Sequence, residues 1–198
     1  IILSNGIETK LGSLTSPFEF FNEWKKVTSE EEEESKTDIR TAIFGFCDKT
    51  RLLDILDNFV IFDTSASKLK KIIPRYFQYF GVNRAYEQVI KRQELEGKLG
   101  VFWHTQGSGK SFSMIYLSQK VLRHISGSFT FIVVTDRTQL DGQTYSNFSN
   151  AGAVYEKEVR AGSVDNLKQL LAEDHRQIFT TIQKFQHVDG SVSSRENI

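Results

Sequence analysis

The sequence predicts a parallel α/β sheet flanked by helices, on three observations. Strand-like segments recur at 99–104 (LGVFWH), 129–135 (FTFIVVT) and 177–182 (QIFTTI), and the continuous apolar run of the second is as expected of a strand buried on both faces. Segments of helical periodicity stand before and between them. A glycine-rich stretch, GSGKS at 107–111, joins the first run to a helix. Strand–helix–strand–helix–strand at this spacing predicts a doubly wound sheet.

The elements follow in chain order. Before residue 63 the apolar segments are short and broken by glycine and polar turns. Ser16 followed by Pro17 reads as an N-cap and first helical position, opening a short helix to about Trp24. The glutamates at 30–34 read as a solvated loop or frayed helix end. Asp48 caps a helix with Leu52, Leu53, Leu56 and Phe59 along one side, and FVIF at 59–62 follows as a strand. The seam between two regions falls around 63–74, giving 1–66 and 67–198 as the parts. From Pro74 runs a long helix whose apolar side carries Tyr76, Phe77, Phe80, Ala85, Val89 and Ile90. Met114, Leu117, Val121 and Ile125 mark the helix after the glycines, and further helices start at Asp136 and near 164–174.

Composition narrows the function classes. The 198 residues are 39% hydrophobic and 25% charged, within the globular range. No apolar run approaches the ~18 residues of a membrane span, and no signal-peptide pattern opens the chain. One cysteine, Cys47, suits a reducing cytoplasm, and four scattered histidines offer no metal-ligand spacing. The 25 basic and 25 acidic residues balance, so no global charge announces a nucleic-acid partner. The chain opens at Ile1 without Met and stops after a polar stretch, which reads as a piece of something longer.

A nucleoside triphosphate needs many donors held close together. Glycines let backbone N–H groups approach it, and the following helix adds unpaired amides and the positive end of its dipole. In HTQGSGKS, the residues from Thr105 through Gln106, Gly107, Ser108 and Gly109 form the cradle. Lys110 reaches the β and γ phosphates and Ser111 takes a Mg²⁺ position. The strict G-x-x-x-x-G-K-[ST] spacing would put a glycine at 104, where this chain has His104, a strand-end residue that shapes the loop. The turn relies on Gly107 and Gly109.

FWHTQGSGKS, IVVTDRTQLDGQ, FTTIQKF and RYFQYFGVNRA together resemble the motor (R) subunit of type I restriction enzymes, superfamily 2 helicase-like translocases fused to a nuclease. The resemblance runs from about Asn5 to Asn197. It implies a RecA-like first motor domain over 67–198, preceded by the C-terminal part of a nuclease-type α/β domain over 1–66. It implies ATP and Mg²⁺ as cofactors, Gln78 as the reader of the adenine base, and Lys110 and Ser111 as the catalytic P-loop pair. Thr135 and Arg137 after the second strand, and Thr181 and Lys184 after the third, become contacts to the backbone of double-stranded DNA, with Thr180 and Gln183 as neighbouring candidates. Asp136 reads as the cap of the helix behind the second strand. Methyltransferase and specificity subunits are the implied partners.

Two E-x-K triplets, Glu8–Lys10 and Glu23–Lys25, lack the upstream acid that nuclease chemistry needs. The nuclease residues are expected upstream of Ile1, and the family's acidic box just after SSRENI. By this reading the fragment binds nucleotide but turns it over poorly. Two alternatives stay open: another helicase-like P-loop ATPase without nuclease activity, and a nucleotide-free DNA-binding or structural module.

Overall fold

The structure is a computed structural model that describes residues 1–33, 37–65, 68–156 and 159–185. Glu34, the expected boundary at 66/67 and the SSRENI terminus lie outside the described residues. The chain forms two compact units, Ile1–Val121 and Leu122 onward. Its class is mixed α/β with small sheets.

The first unit opens with an antiparallel hairpin of β1 (Ile2–Ser4) and β2 (Thr9–Leu11), with Ile2 opposite Leu11. Its turn follows from Asn5 and Gly6: the Asn5 Oδ1 accepts from the N–H groups of Ile7 and Glu8 at 2.9 and 2.8 Å, and Gly6 takes φ +86°. The helix expected from Ser16 is only a 3-10 turn, Phe18–Phe20, with Pro17 as the N-cap. Phe18 and Phe20 stay exposed, so no apolar stripe rewards a longer helix. Helix α1 (Ile39–Phe46) lies in a stretch given no separate helix by the sequence. Asp38 caps it by accepting from Arg40 and Thr41. Helix α2 (Lys49–Asn58) is capped by Asp48, as expected, through Arg51 N–H. Its buried side is Ile55 with Phe59 just beyond, whereas Leu53 and Leu56 face solvent. The strand expected at 59–62 forms two residues later, as β3 (Ile61–Asp63), paired antiparallel with β4 (Lys70–Ile72).

Helix α3 (Tyr76–Ile90) forms where expected, but its buried residues are Gln78, Tyr79, Val82 and Val89, and Ile90 is exposed. Helix α4 (Lys110–His124) buries Ile115, Tyr116, Gln119 and Lys120 rather than Met114. Trp24, Ile55, Phe59, Tyr79, Val82 and Tyr116 make the core, with Phe59 rings 4.9 Å from Tyr79 and 5.2 Å from Tyr116. Gly45 permits the closest approach there, since a Cβ would lie 2.5 Å from Trp24. The buried Lys120 ammonium is held at 2.6 Å by both Asp54 on α2 and Asn83 on α3, which ties three helices together.

The strand expected at 99–104 does not form. Residues 98–105 have no regular structure; Val101 is 95% and Trp103 77% exposed. A strand needs a ladder partner for its N–H and C=O groups, and none of the described strand pairings includes this run. The positive φ of Gly100 (+113°) also interrupts an extended path.

In the second unit, β5 (Phe131–Thr135) and β6 (Gln177–Thr181) pair in parallel, with Thr135 opposite Thr181. Between them run α5 (Thr138–Asn150) and α6 (Val164–Ala172), and α7 (Ile182–Phe185) follows β6. Val159 and Ala161 bond to Phe179, so β6 has backbone neighbours on both edges. Every residue of β6 is buried, the polar Gln177, Thr180 and Thr181 included. β5 is less covered than its run suggests: Val134 is 42% exposed. Leu167, Leu170, Leu171, Ile178 and Ala161 form the core against Ile132.

His175, just before β6, touches Glu156 at 2.5 Å and Glu173 at 2.9 Å. Burial pulls its pKa down, but the bonds and charges of the two carboxylates outweigh that and raise it. A raised folded value contributes stability in full below the unfolded value of about 6.5 and loses it as pH rises through the folded one. Denaturant midpoints between pH 5.5 and 8.5 should therefore fall toward alkaline pH, with a flatter dependence in His175→Asn.

Candidate functional site

The glycine loop builds the first candidate site from its backbone. Gly107 and Gly109 take φ of +77° and +82°, left-handed values that favour glycine. They turn the chain into α4, whose first residues are Lys110 and Ser111. The N–H groups of Phe112 and Ser113 bond back to Gly109 O at 3.0 and 3.3 Å, which leaves Lys110 and Ser111 as the amides of the open first turn. Ser108 is buried and its Oγ has no hydrogen-bond partner among the described residues. Thr105 and Gln106 form the exposed outer limb, and Thr105 O accepts from Ser108 N–H at 3.3 Å. These features fit a polyanion: a concave backbone, first-turn amides, an unpartnered hydroxyl and an ammonium.

Lys110 is folded back over the loop. Its Nζ donates to His104 O at 2.9 Å and Thr105 O at 3.0 Å, on the exposed side. A phosphate would exchange two neutral acceptors for a charged one, which strengthens the bond. His104 stands between Phe102 and Phe77, with ring centroids 4.5 and 4.9 Å away. Burial, helped by the Lys110 charge, lowers its pKa, so the imidazole stays neutral near pH 7. Its Nδ1 is buried without a hydrogen-bond partner among the described residues. The ring shapes the base of the loop.

Gln78 lies against this loop. It is 4% exposed. Its Oε1 accepts from Arg75 N–H at 2.9 Å, closing the start of α3, and its Nε2 donates to Ser108 O at 3.2 Å and Gly109 O at 3.1 Å. In this structure the amide's hydrogen bonds go to the backbone on either side. A cleft of about 390 Å³ opens beside it, lined by Arg75, Phe112 and Gly107 to Gly109 and, from further back in the chain, Phe20 and Lys70. Nothing local in the sequence marks Phe20 or Lys70 for this position, because the fold brings one from the 3-10 turn and the other from the β3–β4 hairpin. A larger cavity of about 640 Å³ beside Asp54, Tyr79 and Asn83 lacks a phosphate-binding loop.

The second unit gathers the four residues expected to touch DNA at the C-terminal ends of its paired strands. Thr135 and Thr181 are opposite in register. Arg137 is exposed and 3.5 Å from Asp136. Lys184 donates to Ala161 O at 2.6 Å. Thr181 is buried and Thr180 Oγ1 lacks a partner among the described residues, while Gln183 Nε2 donates to Asp136 O at 2.8 Å. Asp136 is not the helix cap: Arg137 occupies that position, without a side-chain cap bond, and the Asp136 carboxylate turns to Arg137 instead. Glu23 and Lys25 form an ion pair at 3.4 Å, and Lys10 lies over the Phe18 ring. Among the described residues no group of three or more His, Cys, Asp or Glu is placed to hold a metal ion, and no helix is long and apolar enough to cross a membrane.

Comparison with known proteins places the chain in a family. Residues 77–198, more than half of the chain, match the SWI2/SNF2 ATPase model. The chain is 38% identical, over 93% of its length, to the type I restriction enzyme HindI endonuclease subunit of Haemophilus influenzae. It is 26% identical, over 92% of its length, to the type I restriction enzyme SauCOLORF180P endonuclease subunit of Staphylococcus aureus. It spans only 18% and 19% of the length of those two proteins. The motif order, the glycine loop ahead of α4 and the family model agree: the chain belongs to the SWI2/SNF2 ATPase family, and it is similar to endonuclease subunits of type I restriction enzymes.

Proposed function

We propose that this chain is the part of an ATP-dependent DNA translocase and endonuclease subunit that binds Mg-ATP and grips the backbone of double-stranded DNA. The observation that carries it is the turn of two left-handed glycines that delivers Lys110 and Ser111 at the open first turn of α4. When bound, the nucleotide supplies the transferable phosphoryl group. The protein's own residues do the rest. Gly107 and Gly109 let the backbone approach the phosphates, Lys110 leaves the carbonyls of His104 and Thr105 for the β and γ oxygens, and Ser111 is the hydroxyl for Mg²⁺. The cleft beside Gln78 is of a size for a nucleoside.

Thr135, Arg137, Thr181 and Lys184 stand at the C-terminal edge of a parallel pair, where α/β proteins place their ligands. Contacts from such residues to phosphate position a duplex without reading it. Sequence recognition then belongs to other subunits, a methyltransferase and a specificity subunit, in a cytoplasmic complex. RecA-like organisation of residues 67–198 and a nuclease-type segment over 1–66 complete the proposal. Calorimetric titration of Mg-ATP into this chain tests the nucleotide part. One saturable site that is weakened by EDTA is expected, and no saturable heat with or without Mg²⁺ would overturn it.

A further inference from the structure

Arg160 has no place in the sequence motifs, yet its guanidinium is anchored on a buried carboxylate at the first turn of α5, the helix that follows the β5 strand end. It lies in the segment alongside β6, in a bridge with Phe179. Its Nε donates to Asp141 Oδ2 at 2.6 Å; the carboxylate is 1% exposed, whereas 41% of the Arg160 side chain still meets solvent. Asp141 stands on the first turn of α5, where its N–H donates to Arg137 O at 3.0 Å. The neighbouring carbonyl, Ala161 O, holds Lys184. Arg160 is therefore linked to both cations already placed at this edge, to Arg137 through Asp141 and to Lys184 through its chain neighbour Ala161. Each of those is less prepared: Arg137 is an exposed side chain beside Asp136, and Lys184 has its ammonium on a backbone carbonyl.

We propose that Arg160 is a backbone-phosphate contact for duplex DNA and that Asp141 is its positioning residue. A guanidinium presents a planar fork of five N–H donors. Holding Nε by a buried carboxylate fixes that plane and leaves the fork's outer edge for a phosphate, so little side-chain freedom is lost on binding. The proposal rests on the reading of this chain as a DNA-gripping motor segment.

The test is binding of a fluorescent duplex by this chain across a range of salt, for wild type, Arg160→Lys and the double variant Asp141→Asn/Arg160→Gln. The double variant removes one charge of each sign, so net charge is unchanged and no buried carboxylate is left unpaired. Its affinity at low salt is expected to fall about fivefold to tenfold and its log K against log salt slope to shrink by about 0.9, one phosphate contact. Arg160→Lys, which keeps the charge and loses the fork, should keep most of the slope and lose affinity. A wild type that binds duplex, with both variants matching its affinity and slope, overturns the role of Arg160 and leaves the DNA reading standing. A wild type that binds no duplex at any salt overturns the DNA reading itself. Should the double variant unfold by circular dichroism, Arg160→Lys decides alone: unchanged affinity overturns the proposal.

Discussion

Replacing Lys110 by alanine should weaken Mg-ATP binding about tenfold to a hundredfold while leaving the fold nearly unaltered. A hydrogen bond to a charged group contributes about 1.5–3 kcal/mol, and each 1.4 kcal/mol is about a factor of ten. The two carbonyls that Lys110 now holds, of His104 and Thr105, are on the exposed side and can turn to water. The unfolding midpoint should therefore move by no more than about 0.5 kcal/mol, as for other surface changes. The same substitution removes one of the two influences that lower the His104 pKa, so the imidazole should titrate at a higher pH in the variant. Calorimetry, denaturant unfolding and histidine NMR read the three outcomes separately. Unchanged affinity would remove Lys110 from the phosphate site.

The second large effect separates the two glycines. Both have positive φ, so an alanine at either carries a backbone cost of about 1–2 kcal/mol. Their surroundings differ. A Cβ on Gly107 meets nothing within 4 Å, whereas one on Gly109 would lie 2.7 Å from Gln78 Nε2. Gln78 cannot step aside cheaply, because its amide is bonded to Arg75, Ser108 and Gly109 within a buried site. Gly107→Ala should then cost about 1 kcal/mol in denaturant unfolding, and Gly109→Ala about 2–4 kcal/mol, the sum of backbone strain and lost buried hydrogen bonds. Nucleotide affinity should follow the same order. Adding Gln78→Ala to Gly109→Ala would restore part of the loss if the contact is the cause. Equal costs at the two glycines would mean that Gln78 does not brace the loop.

Sequence and tertiary structure each determined a different share. Local chemistry was legible from residues alone: Asp48 caps α2, Pro74 precedes α3, GSGKS turns into α4, and the strands expected near 131–135 and 177–181 pair in parallel. These depend on dihedral preferences, caps and continuous apolar stretches, which act within a few residues. The helix faces were less legible. Periodicity offered Leu53, Leu56 and Met114, but the buried places went to Ile55, Tyr116 and Lys120. Burial depends on which neighbour arrives, and Lys120 is accommodated only because Asp54 and Asn83 come from two other helices. The run at 99–104 shows the same limit from the other side. Its composition suits a strand, but a strand exists only where a partner offers a ladder. Gln78 was singled out by the resemblance as a reader of the adenine base, not as a neighbour of the loop. That its amide would be bonded to the loop's own carbonyls, and that Arg160 would be anchored by Asp141, required contacts across 31 and 19 residues of chain. The sequence by itself determined the glycine loop with Lys110, and the ends of β5 and β6 with Arg137 and Lys184. Only the tertiary structure decided which of those cations are held in place, because hydrogen bonds between distant residues exist only once the chain has brought them together.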